Sequence, residues 1–167
     1  MQAQSNTSLF NTVEAQLKEQ GFTIISKDDQ RPWGGFFVLD ENDAEKFIEL
    51  YFPGYSKEQL LIGNKLSPKI LMVAPGKRLS WQYHFRRAEI WRVVNGKVAI
   101  ATSDTDEEKD INNFQPGEII VLQKGQRHRL IGLNEWGVVA EIWQHTDIEN
   151  PSDEDDIVRL QDDFGRN

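Results

Sequence analysis

Four side chains at short, regular spacings have the chemistry to hold a divalent metal. Gln82 and His84 lie two apart, so on an extended strand both point to one face. Glu89 follows on what reads as the next strand, sharing its face with Trp91 and Val93. His128 comes much later, again at a strand start, just beyond Gln123-Lys124-Gly125. Because the chain has no cysteine, any metal must use imidazole, carboxylate or amide donors. That set suits zinc, nickel, iron or manganese, and donors converging from three strands leave a position open for substrate. The competing reading is a set of buried polar residues satisfied by hydrogen bonds. Gln82 is the weakest donor, and orienting a metal-bound water is its other role.

Further residues flank this set. Glu141 alternates with Val139 and Trp143, so either this set or Ala140 and Ile142 faces the interior. A carboxylate there needs a partner or a job, so Glu141 is a candidate general base, or else the partner of a barrel arginine. Arg86 and Arg87 sit beside the ligands, placed either to meet a substrate phosphate or to stay solvated. Trp33 and Trp91 read as core rather than sugar-stacking platforms. His145 fits no motif and is expected at the surface.

The elements that must position these groups are mostly short strands. Phe10, Val13 and Leu17 recur at helical spacing ahead of Gly21, predicting an N-terminal helix before a strand over 22–26. Arg31-Pro32-Trp33-Gly34 breaks the chain before a strand over 35–39. Asn42 with Glu45, and Ser56 with Gln59, look like capping boxes, giving two short helices within 43–62 divided at Pro53-Gly54. Strands are expected over 70–74, 89–94, 97–102, 118–122 and 138–143, with a hairpin at Asn95-Gly96. Such a series of short strands means a sandwich or closed barrel. The expected organisation is a helix-and-strand extension over 1–30, a barrel over 31–150, and an acidic tail over 151–167 packing on it.

The chain has 167 residues and a net charge of −8, which suits one domain and argues against a nucleic-acid partner. Acids crowd the tail, where Asp147, Glu149, Asp153, Glu154, Asp155, Asp156, Asp162 and Asp163 face only Arg159. Bases crowd the middle, from Lys77 and Arg78 to Arg127 and Arg129. A basic middle can attract a small anion locally. Neither a signal peptide nor a membrane span is evident, so a soluble, cytoplasmic protein without membrane contact is expected.

The glycines and ligands together resemble the two motifs of the cupin superfamily, G(X)5HXH(X)3–4E(X)6G and G(X)5PXG(X)2H(X)3N. Gly76, His84, Glu89 and Gly96 match the first, and Gly117, Gly125 and His128 the second. Gln82 replaces the first His, Gln123 the Pro and Gly132 the final Asn. More narrowly, RPWG at 31–34, LSWQYHFRRAEIW at 79–91, GQRHRL at 125–130, AEIWQ at 140–144 and DDIVRLQDDFGR at 155–166 resemble type II mannose-6-phosphate isomerases. The family's His-rich stretch is reduced here to His84-Phe85-Arg86, its later His is Ile90, and the segment 40–67 is long. The resemblance implies an all-β cupin, a jelly-roll barrel with short helices, and one divalent metal on Gln82, His84, Glu89 and His128, zinc before nickel, manganese or iron. It implies conversion of mannose 6-phosphate to fructose 6-phosphate, and a homodimer. Arg129 corresponds to the arginine of the family's His-Arg-Leu and is a candidate for stabilising an enediolate or binding phosphate, although strand alternation turns it away from His128. Two other readings stay open: a non-catalytic sugar-binding cupin, and a metal-dependent cupin oxygenase.

Overall fold

Period-two alternation dominates the chain from residue 24 onward, and it produces two antiparallel sheets packed face to face. The structure is a computed structural model that describes residues 6–165. The first five residues of the expected extension, and Arg166 of the terminal motif, lie outside the described residues. A helix α1 (Asn6–Glu19) leads into β1 (Ile24–Arg31) and β2 (Gly34–Leu39), then a 3-10 turn, α2 (Ala44–Tyr51) and α3 (Lys57–Leu60). The barrel strands follow: β3 (Lys69–Val73), β4 (Trp81–Tyr83), β5 (Arg87–Asn95), β6 (Val98–Ser103), β7 (Asp110–Phe114), β8 (Ile119–Leu122), β9 (Arg127–Gly132) and β10 (Gly137–His145). A last strand, β11 (Val158–Gln161), comes from the acidic tail. No helix among the described residues is long and apolar enough to cross a membrane.

One sheet runs β1-β2-β3-β10-β5-β8 and the other β11-β4-β9-β6-β7. Between them lies a core of Leu71 and Val73 from β3, Trp91 and Val93 from β5, Val98 and Ile100 from β6, Leu130 from β9 and Val139 from β10. The alternate residues of the six-stranded sheet, among them Ile70, Met72, Ile90, Ala140 and Ile142, pack outward against Phe10 and Leu17 of α1 and Phe47 and Ile48 of α2. Both faces of β3, β5 and β10 are therefore buried, which is why these strands read as nearly continuous apolar runs. Gly34 is required at the β1–β2 turn: φ is 145° there, and a Cβ would strike the Met72 carbonyl oxygen of the paired strand.

Two local expectations are corrected. Asn42 caps nothing; Asp40 accepts from the Asn42 backbone N–H at 2.9 Å to start the 3-10 turn, and α2 begins without a side-chain cap. The Ser56–Gln59 capping box is present. Asn95-Gly96 reverses the chain but makes no hairpin, because β5 pairs with β10 and β8 whereas β6 pairs with β9 and β7. The turn carries the chain from one sheet to the other, so Val93 and Val98 meet across the core instead of side by side.

The helical layer is expected to matter as a packed unit. Phe47→Ala, at a fully buried position, should lower the unfolding free energy in urea by about 3–5 kcal/mol. Leu50→Ala on the exposed face of the same helix should change it by less than ~0.5 kcal/mol.

Candidate metal centre

Strand alternation brings three of the four expected ligands to one point inside the barrel. His84 follows β4, Glu89 lies on β5 and His128 on β9, and one ligand atom from each falls within 4.8 Å of the others. All three are buried. Glu89 Oε2 lies 3.2 Å from His84 Nε2, and Glu89 Oε1 lies 3.5 Å from His128 Nε2. Gln82 is the cross-strand partner of His128 and lines a cavity together with Glu89. Its amide oxygen accepts from Ser80 Oγ at 2.6 Å, and its Nε2 lies 3.5 Å from His128 Nε2.

The protonation pattern suits a cation. His84 Nδ1 donates to the Asp156 carbonyl at 2.7 Å and His128 Nδ1 to the Gln126 carbonyl at 3.1 Å. In the neutral tautomer each ring then turns its Nε2 lone pair inward. Burial pushes the His84 imidazole below its usual pKa against the pull of Glu89, which favours the neutral form. Burial alone would raise Glu89, but the Arg87 guanidinium leads the groups that outweigh it and hold the carboxyl well below the usual range. Two pairs of acceptor atoms thus face each other, and Glu89 Oε1 has no hydrogen-bond partner among the described residues. Facing lone pairs around an orphaned carboxylate oxygen fit a divalent cation held by His84, Glu89 and His128, with Gln82 beside them.

Arg87 opens β5 with its guanidinium inside, donating from Nε to Glu89 Oε2 at 2.8 Å and lying 3.3 Å from His84 Nε2. It also lies over the Trp143 ring, 3.7 Å from the centroid. Arg86 points away from the cavity and pairs with Asp153 at 3.3 Å. Arg129 is buried on the opposite face of β9, as alternation required, and donates to the Leu79 carbonyl, Glu108 and Gln161. Its guanidinium ties down the tail and stays outside the cavity. Glu141 lies within the cavity lining, its two oxygens accepting from the indoles of Trp91 and Trp143, each at 2.8 Å. Burial, and then the charge of Glu89, raise its pKa to about 7.

His145 is not on the surface; it is 1% exposed. It continues the inward register of Glu141 and Trp143 to the end of β10. There it accepts from the Ser152 N–H at Nδ1 (3.0 Å) and meets Ser67 Oγ at Nε2 (3.0 Å). The segment after it surrounds the site: Arg87 donates to Ser152 Oγ and the Asp153 carbonyl, and the Asp156 carboxylate accepts from the backbone of Phe85 and Arg86. Sequence reasoning placed the tail on the barrel but gave it no part in the site. The DDIVR motif was its one available signal.

Two antiparallel sheets enclosing a His–Glu–His cluster define a cupin barrel. The solved structures agree on that fold: oxalate decarboxylase from Bacillus subtilis superposes on 81% of this chain and 30% of its own with a TM-score of 0.56 at 13% identity. An oxalate oxidase in complex with glycolate covers 80% of this chain and 58% of its own, with a TM-score of 0.53 at 19% identity. The chain belongs to the family described as mannose-6-phosphate isomerase C-terminal, whose profile matches residues 40–162. Among curated relatives it is similar to the alginate biosynthesis protein AlgA of Pseudomonas aeruginosa, 31% identical over 75% of this chain and 24% of that one. A mannose-1-phosphate guanylyltransferase of Escherichia coli is 31% identical over 71% of this chain and 23% of its own. The chain spans about a quarter of the length of the relatives it matches.

Two measurements test this geometry. His128→Ala should weaken zinc binding by more than the ~10–100-fold typical of outer partners, whereas Arg129→Met should cost stability and leave zinc affinity unchanged. Burial, followed by Lys65 and Arg87, pushes the His145 pKa down to about 4. The unfolded chain then binds the extra proton between pH ~6.5 and ~4. Its contribution to stability is therefore present above pH ~6.5 and lost as pH falls toward 4. Unfolding curves of His145→Gln should show a shallower acid limb than wild type across that window.

Proposed function

We propose that this chain is a metal-dependent aldose–ketose isomerase acting on a sugar phosphate, with mannose 6-phosphate to fructose 6-phosphate as its reaction. The observation that carries the reading is a buried carboxylate, Glu141, lining the same cavity as Glu89 of the His84–Glu89–His128 cluster. Family membership supports it. A divalent metal, zinc before nickel, manganese or iron, held by those three residues with Gln82 would polarise the substrate's carbonyl and hydroxyl oxygens.

The chain's own residues supply the rest. Isomerisation moves a proton between adjacent carbons through an enediol, so one base must take it and give it back. Glu141, with a pKa raised to about 7, exists in both forms near neutrality. Each of its oxygens accepts one indole N–H and keeps a further lone pair for the proton. The two indoles fix the carboxylate's plane, and Glu154, Ile157 and Arg159 of the tail line the cavity. Arg87 orients Glu89 and presents a cation to the substrate's oxygens. The homodimer expected from the resemblance belongs to the same proposal.

Proton NMR of mannose 6-phosphate with the metal-replete protein should show solvent deuterium entering C2. Glu141→Gln should slow that exchange by about 10²–10⁴-fold while retaining the metal. Binding without exchange would identify a non-catalytic sugar-binding cupin, and oxygen uptake an oxygenase; either result overturns the isomerase.

A further inference from the structure

Lys69 opens β3, and alternation with Leu71 and Val73 turns it into the barrel while Ile70 and Met72 face the helices. It is buried, 6% exposed, and a buried ammonium needs a counter-charge. Glu154 Oε1 supplies one at 2.7 Å, but from a side chain that is 70% exposed. A buried cation is thus matched to an anion that solvent can reach. Aromatic faces complete its surroundings, with Nζ 4.8 Å from the ring centroids of both Phe36 and Trp143. Arg31 lies over the same Phe36 ring, and Arg87 over the same Trp143 ring.

A second, independent feature lies in the same cavity. Trp33 is 5% exposed, and its Nε1–H is buried with no acceptor among the described residues. An unmet buried donor is costly, and it marks a place where a ligand oxygen belongs.

The volumes add a third. The cavity lined by Gln82, Glu89 and Glu141 encloses ≈ 90 Å³, room for about three waters. Beside it lies a cavity of ≈ 430 Å³ that reaches Val38, Lys65 and Ser67. Lys69, Trp143 and Glu154 line both, so the Lys69–Glu154 pair stands in the partition. Joined, the two fall within the ~300–1,000 Å³ usual for small-molecule sites.

We propose that Lys69 and the Trp33 indole N–H form the subsite for an oxyanion at the substrate's distal end, a phosphate or a carboxylate, and that Glu154 is the stand-in this oxyanion displaces. Displacement frees Lys69 and opens the partition, letting a substrate reach from the second cavity to the metal cluster. The assignment rests on the isomerase reading for the identity of its ligand, but its chemistry is testable without turnover.

The full chain and its variants, at matched metal content, are titrated calorimetrically with inorganic phosphate and separately with acetate. Glu154→Gln should bind the preferred anion about fivefold more tightly than wild type. Lys69→Met in the Glu154→Gln background should cancel the gain, and Trp33→Phe should remove part of it. A gain with phosphate identifies a phosphate monoester as the ligand class, and a gain with acetate a carboxylate. Equal affinity of wild type and Glu154→Gln for both anions, or a gain that survives Lys69→Met, overturns the subsite. Should Lys69→Met fail to fold, the comparison at exposed Glu154 decides alone. Because no step involves turnover, the subsite can fail while deuterium exchange succeeds, and the reverse.

Discussion

A carboxylate ionised at the centre of an apolar barrel must be matched there, and Glu89, 2% exposed, sets this requirement for everything around it. Arg87 answers first, because register on β5 turns residues 87 and 89 to the same side. Its guanidinium then needs acceptors of its own, which it finds at Ser152 Oγ and the Asp153 carbonyl. His84 needs an acceptor for Nδ1 and finds the Asp156 carbonyl. Each demand recruits the same segment, so the chain beyond β10 folds back over the barrel mouth. His145 fixes where that return begins, and β11 pairing with β4 fixes where it ends.

The uneven charge along the chain acquires a structural meaning from this return. Acids of the tail meet bases of the barrel one by one: Glu154 with Lys69, Asp153 with Arg86, and Asp163 with Arg78 at 2.7 Å. The two pairs exposed on both sides, Asp153–Arg86 and Asp163–Arg78, contribute little stability individually. Their value lies in register, since each fits only when the tail crosses the barrel in one alignment. A tail that reads as solvated acid is the electrostatic complement of the basic middle.

What was legible in the sequence follows from how far local rules reach. The barrel strands and the convergence of His84, Glu89 and His128 came through because period two decides which face a side chain takes. The same rule put Arg129 outside, where it binds Gln161 and Glu108. Partner choice is not local, so Asn95-Gly96 announced a reversal without revealing that β5 and β6 belong to different sheets. His145 looked superficial because its partners, Ser67 and Ser152, lie in loops that carry no pattern. Lys69 was hidden differently: a lysine heading an apolar run reads as a solvated strand end, and the groups around it, Phe36, Trp143 and Glu154, lie far from it in sequence.

The cavity holds a second carboxylate whose fate is opposite to that of Glu89. Glu89 has a guanidinium against it, whereas Glu141 accepts from two neutral indoles. Burial and repulsion from Glu89 therefore raise Glu141 to about 7, while Lys69, its cross-strand partner on β3, pulls the other way. One barrel thus separates a permanently ionised metal-ligand candidate from a group that trades protons near neutrality. The opposing pull of Lys69 gives this balance an adjustable member. An oxyanion seated on Lys69, as proposed above, would offset that pull more closely than the exposed Glu154 carboxylate does, and Glu141 would become the stronger base. Substrate charge and base strength would then be linked through a single ammonium group.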